Sequence, residues 1–159
     1  MVTVSNSASL DSTDWAIINE VEIDGRISYS VLANKLGVSP GTIANRIQKM
    51  VDARILSFIG VVHPFNMGLY ALALIGLRAD PRRVDEIAKQ LATYSSVRFV
   101  VACTGAFEII IEVVERSNED LLRFITEELS TIDGVYEVKV SNEMKLYKNA
   151  FNFREGANK

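Results

Sequence analysis

The chain has 159 residues, 48% of them hydrophobic, and a formal net charge of −3. That length suits one domain or two small ones with packed cores, and the acidic balance argues against a protein that coats nucleic acid nonspecifically. No apolar run approaches the ~20 residues a membrane helix needs.

Residues 1–9 are polar, with no basic flank or apolar core, so they read as a disordered lead-in and not as a signal peptide. The cytoplasm is the default compartment. Leu10-Asp11-Ser12-Thr13-Asp14 opens a first helix, with Asp11 or Ser12 as its cap and Trp15, Ile17, Ile18 and Val21 as its apolar side; Asp24-Gly25 ends it. A second helix runs to about Leu36. Gly37 then supplies a turn residue free to take positive φ, Val38 plugs the corner, Ser39 caps the next helix and Pro40 suits its first position. That third helix runs from about Pro40 to Asp52 and buries Ile43, Ile47 and Met50. The β-branched run Ile55 to Val62 reads as a strand, which makes the unit a winged-type helix-turn-helix.

His63-Pro64-Phe65-Asn66-Met67-Gly68 breaks the pattern and marks a boundary. Beyond it the rhythm changes. Leu69 to Leu77 is a strand, and Pro81 opens a helix carrying Val84, Ile87, Ala88 and Leu91 at helical spacing. Val97 to Cys103 is a strand, Gly105 a turn, and Phe107 to Val114 another strand. Ser117 or Asn118 caps a helix that buries Leu121, Leu122, Ile125 and Leu129. Gly134 ends it, and Val135 to Leu146 is the last strand. The order β-α-β-β-α-β is the split βαβ pattern of a ferredoxin-like fold, so the class is α+β. The expected divisions are 1–62 for the helix-turn-helix domain, 63–68 for a hinge, 69–148 for the ferredoxin-like domain and 149–159 for a polar tail. Leu69, Ala71, Ala73 and Ile75 alternate with Tyr70, Leu72 and Leu74, so both faces of one strand are apolar. A ferredoxin-like sheet has helices on one face only, and a second copy of the chain is the simplest cover for the other.

A polar, amide-rich helix on a small apolar corner is how proteins enter a DNA major groove. Between Arg26 and Arg54 five cations stand against Asp52 alone, a local excess of +4. Phosphate neutralisation needs positive charge only at the contact surface. Arg46 and Lys49 are candidate phosphate or base contacts, or else a solvated helix face. Asn45 and Gln48 can pair bidentately with adenine, or rest passively on the surface. Ser39 and Thr42 can donate hydroxyls to phosphate, although Ser39 can equally do no more than cap. The single Cys103 excludes an internal disulfide and reads as a buried, reduced thiol. His63 is the only histidine and has no ligands at metal-site spacing, so neither a metal nor a cofactor is expected. No phosphate loop, paired carboxylates or nucleophile–base arrangement stands out.

Leu10-Asp11 with Asp14 and Ile17-Ile18, then Asp24-Gly25-Arg26-Ile27-Ser28, Leu32-Ala33, Leu36-Gly37-Val38-Ser39, Arg46-Ile47 and Ile55 together form a specific pattern. With Pro64 and Gly68 at the hinge and Thr104-Gly105 between the middle strands, the chain resembles the Lrp/AsnC (feast/famine) family of transcription regulators from about Leu10 to Leu146. The resemblance implies sequence-specific binding of double-stranded DNA. It also implies homodimers joined through the second domain's sheets, often assembled into tetramers, octamers or larger discs. Control by amino acids or related molecules bound where dimers meet is implied too, with Thr104, Gly105, Ala106 and Glu108 as the ligand residues; the Glu108 carboxylate can take an effector's cationic amine, or else lie on the oligomer surface in an ion pair. In the family the turn typically reads Gly-Asp-Tyr/Phe-Asp; here it is Gly105-Ala106-Phe107-Glu108. A Thr-x-Thr common in the last strand is here Val138-Lys139-Val140. These departures remove polar groups and point to weak binding of common amino acids or a preference for a less polar ligand. Two other readings compete. One is an enzyme on the same architecture, as in sirohaem decarboxylases, which use histidines where this chain has only His63. The other is an architectural protein that compacts DNA with little specificity.

Overall fold

The computed structural model describes residues 9–148, so the lead-in (Ser9 apart) and the tail expected at 149–159 lie outside the described residues. The chain divides after Val61 into two compact units.

In the first unit, α1 (Ser12–Ile23) starts on a reciprocal capping box. The Asp11 carboxylate accepts from the Thr13 and Asp14 N–H groups, and Asp14 accepts from the Asp11 N–H. Ser28 caps α2 (Tyr29–Leu36), and Gly37 ends it at φ +68°, where a side chain would clash with its own backbone. Ser39 caps α3 (Pro40–Asp52), whose first residue is proline, the one residue with no N–H to leave unpaired. Ile17, Val21, Leu32, Ala33, Ile43, Ile47 and Met50 close the core, with Leu36, Val38 and Leu56 packed against it. Trp15 does not join them and is 44% exposed. It lies two residues before Ile17 and six before Val21, which at ~100° per residue puts it on the opposite side of α1.

The strand expected over 55–62 does not form. Phe58, Ile59, Val61 and Val62 are exposed, and β-branched composition cannot make a strand without a neighbour to pair with. The unit is therefore a helix-turn-helix without a wing among its described residues. α3 ends instead on Arg54, held in the left-handed region at φ +56°, and the Ile55 N–H donates back to the Met50 carbonyl at 2.8 Å.

The second unit runs β1 (Ala71–Ala79), α4 (Val84–Leu91), β2 (Val97–Ala102), β3 (Ile109–Glu115), α5 (Asn118–Arg123) and β4 (Val135–Asn142). Its antiparallel sheet has the order β2-β3-β1-β4 expected of a split βαβ fold. Three strands depart from expectation, β3 by beginning at Ile109 and not at Phe107. β1 lies two residues later than the apolar run suggests, and β4 stops at Asn142, which faces Ala73, with one further rung from the Glu143 N–H to the Leu72 carbonyl. The core lies between one sheet face (Ala71, Ala73, Ile75, Leu77, Ile109, Ile111, Val113) and the helices (Ile87, Leu91, Leu121, Phe124, Leu129). Leu122 falls off this stripe and is 60% exposed, because the inward face runs through Leu121, Phe124 and Ile125 at helical spacing, and Leu122 stands ~100° round from Leu121. Cys103 is half-buried, not buried, since it lies just past the end of β2. On the helix-free face, Leu74, Glu112 and Phe99 stand side by side on three strands, with Leu74 45% and Phe99 49% exposed.

Candidate nucleic-acid interface and ligand turn

α3 turns Gly41, Asn45, Gln48 and Lys49 to solvent, as its apolar spacing requires. The six candidate contacts are not equally free. The Ser39 hydroxyl accepts from the Thr42 N–H at 3.1 Å, and the two hydroxyls lie 2.9 Å apart, so both take part in the helix cap. Gln48 donates its amide to Asp52 at 2.8 Å, one turn on. Asn45 and Lys49 make no side-chain hydrogen bond or ion pair among the described residues and stand open on one face of α3.

Arg46 behaves differently. Its Nη1 donates to Asp11 Oδ2 at 2.7 Å and to Asp14 Oδ1 at 2.8 Å, across 35 and 32 residues of chain. The arginine expected on a DNA-facing surface is thus turned toward the start of α1. The Asp14 N–H and then the Arg46 guanidinium hold the Asp11 carboxyl below the usual carboxylate range, and the two acids raise Arg46. Lys35 is likewise taken, by Glu20 at 2.6 Å. Of the five cations in the basic stretch, Arg26, Lys49 and Arg54 remain without an ion pair among the described residues. The +4 excess is therefore partly offset by acids on α1, outside the stretch. Asp11 was legible as a cap, but its grip on Arg46, and that of Asp14, was not, because nothing local links the two acids to Arg46.

The second candidate site is the turn between β2 and β3. Thr104, Gly105 and Ala106 are exposed, and Gly105 sits at φ +129°, where only glycine is comfortable. The N–H groups of Thr104, Gly105, Ala106 and Phe107 donate to no acceptor among the described residues. Glu108 is bound inward: its N–H donates to the Leu77 carbonyl, its carbonyl accepts from the Cys103 N–H, and its carboxylate accepts from the Ala79 N–H at 3.0 Å. One oxygen of the carboxylate expected to receive a ligand's amine is thus used to tie the turn to β1. The Phe107 ring lies flat against Gly76 on the helix-free face, so close that a Cβ on Gly76 would fall 2.6 Å from it. Val138 packs against the core, and Val140 is 40% exposed. No cluster of three metal-ligating side chains occurs, and no helix is long and apolar enough to cross a membrane, among the described residues.

Comparison with known proteins bears on both units. Residues 10–51 match the AsnC-type helix-turn-helix domain, and residues 72–152 match the Lrp/AsnC ligand binding domain. An HTH-type transcriptional regulator of Pyrococcus horikoshii is 31% identical over 144 residues, covering 89% of this chain and 91% of the relative. One from Pyrococcus furiosus is 33% identical over 133 residues, covering 83% and 90%. Among solved structures, Escherichia coli AsnC superposes with a TM-score of 0.81 at 25% identity, covering 88% of this chain and 95% of that one. A Neisseria meningitidis regulator solved with L-Met superposes with a TM-score of 0.83 at 20% identity, covering 92% and 97%. Both domain models in sequence order, with relatives above 30% identity over most of both chains, show that this protein belongs to the Lrp/AsnC family of HTH-type transcriptional regulators.

Proposed function

We propose that this regulator contacts double-stranded DNA through the open face of α3, with Asn45 reading a base edge and Lys49 neutralising a phosphate. The unit through residue 62 is the DNA-binding domain, 63–68 the hinge, and 69–148 the domain that joins copies and takes an effector. It works in the cytoplasm and catalyses no reaction. The observation that carries the DNA reading is the pairing pattern on α3. Ser39, Thr42, Gln48 and Arg46 are engaged within the protein, and Asn45 and Lys49 are left open on one face. Replacing Lys49 with Ala tests it. Removing one phosphate contact makes the slope of log affinity against log salt shallower by about 0.9. Unchanged affinity and slope across several salt concentrations would remove α3 from the interface.

Two copies join through the helix-free sheet face, where Leu74 and Phe99 leave apolar surface open. Two such dimers build a tetramer, and four an octamer. The effector sits at Thr104, Gly105 and Ala106. Four N–H groups with no acceptor among the described residues suit a carboxylate, while Ala106 and the inward-bound Glu108 offer little to a charged amine. The Neisseria relative was solved with an amino acid, L-Met. Here the turn favours a small carboxylic acid with less need of an amine, such as a 2-oxo acid. Calorimetry with amino acids and their 2-oxo counterparts decides: tighter binding of the amino acids, abolished by Glu108→Ala, would refute this ligand class.

A further inference from the structure

We infer that Arg46 is a positioning residue of the DNA-binding unit, which sets the rotation of α3 against α1 and so decides which side chains face the DNA. The inference rests on α3 being the DNA-reading element.

The geometry is closed on the acidic side. Two of the four carboxylate oxygens of Asp11 and Asp14 are used in the capping box: Asp11 Oδ1 accepts from two N–H groups and Asp14 Oδ2 from one. The remaining two, Asp11 Oδ2 and Asp14 Oδ1, both accept from Arg46 Nη1. The same pair of acids thus caps one helix and grips another. Asp14 is only 15% exposed and Arg46 31%, so this contact is better shielded than an ordinary surface ion pair. Beside it lies an apolar core, to which α1 gives Ile17 and Val21 and α3 gives Ile43, Ile47 and Met50. Apolar contacts are not directional and tolerate rotation, whereas hydrogen bonds to fixed carboxylates do not. Arg46 directly follows Asn45. Rotating α3 by one residue, ~100°, would withdraw Asn45 from the outward face.

The test uses the full chain, a duplex that the wild type selects from a random pool, and a duplex of random sequence. Arg46→Met and Asp14→Asn should each weaken binding to the selected duplex by about 2- to 5-fold, the upper part of the range of an ion pair near the surface. Both should leave random-duplex affinity and the salt slope unchanged. The double variant should be no worse than the weaker single one, since both substitutions break one contact. A phosphate-contacting arginine behaves otherwise. Arg46→Met would then weaken both duplexes alike with a slope shallower by about 0.9, and Asp14→Asn would leave binding unchanged or tighten it. Either result overturns the positioning role. If Arg46→Met fails to fold, Asp14→Asn decides alone, because asparagine still caps a helix. A wild-type chain that selects no duplex would refute the DNA reading of α3 itself, and the positioning role with it. A selected duplex with the phosphate pattern refutes the positioning role only.

Discussion

Adding a single methyl group at Gly76 probes the joint between the sheet and the ligand turn. A Cβ there would lie 2.6–2.7 Å from three atoms of the Phe107 ring. Carbon atoms pack best at about 3.5–4.0 Å, so in Gly76→Ala the ring must retreat by roughly 1 Å or swing off the sheet. Overpacking of this kind typically costs about 1–3 kcal/mol. For a domain of this size each kcal/mol lowers the melting midpoint by about 4–8 °C. The half-buried ring can move toward solvent, which favours the lower end of the range. A double-mutant cycle isolates the contact. With Phe107→Ala in the background the clash is gone, and Gly76→Ala should be neutral or stabilising by about 0.5–1 kcal/mol, because glycine weakens a strand. Urea unfolding of the four proteins at one fixed concentration measures the coupling. A cost below about 0.5 kcal/mol for Gly76→Ala, near the resolution of urea extrapolation, would refute the close packing. So would an equal cost in both backgrounds. Because Phe107 belongs to the proposed ligand turn, Gly76→Ala should also change effector affinity without touching that turn's sequence.

Other consequences follow from single residues. Arg54 ends α3 in the left-handed region, so Arg54→Gly should stabilise the DNA-binding unit by about 1 kcal/mol; a lower melting midpoint would show that the arginine side chain contributes more than its backbone strain costs. Leu74→Glu puts a charge on the helix-free face and should turn dimers or larger assemblies into monomers in sedimentation, and an unchanged mass would place the copies' contact elsewhere. The Asp80 carboxyl is held at about 2, against an ordinary 3.8, by the side-chain and backbone N–H groups of Arg82. A depressed carboxyl stabilises the fold fully above its unfolded value and loses that contribution as pH falls toward the folded one. Wild-type stability should therefore drop more steeply between about pH 4 and pH 2 than that of Asp80→Asn, and parallel curves would deny Asp80 this role.

Sequence reading reached furthest where structure is local. The caps at Asp11, Ser39 and Ser117, the turn at Gly37 and the helical stripes along α3 and α4 each depend on residues within one or two turns, and all appear where expected. The β-α-β-β-α-β order was legible for the same reason, since alternation and helical periodicity separate strands from helices one at a time. The open face of α3 was also readable, because burying Ile43, Ile47 and Met50 leaves Asn45 and Lys49 outside.

What needed the tertiary structure is what depends on a distant partner. Residues 55–62 have the composition of a strand, but no neighbouring strand stands beside them among the described residues. β4 ends at Asn142, where its ladder with β1 closes at Ala73, although Met144 and Leu146 beyond it are apolar. Leu122 and Trp15 are apolar yet exposed, because the rotation of a helix is set by the surface it packs on. Arg46 looked like a DNA contact in the sequence and is an internal tie in the fold, since its acids lie more than thirty residues away. Glu108 looked like a ligand group and is a brace, for the Ala79 N–H it meets belongs to another strand. Charge and hydrogen-bonding capacity are written in the sequence; which of those capacities are already satisfied is decided only when the chain closes on itself.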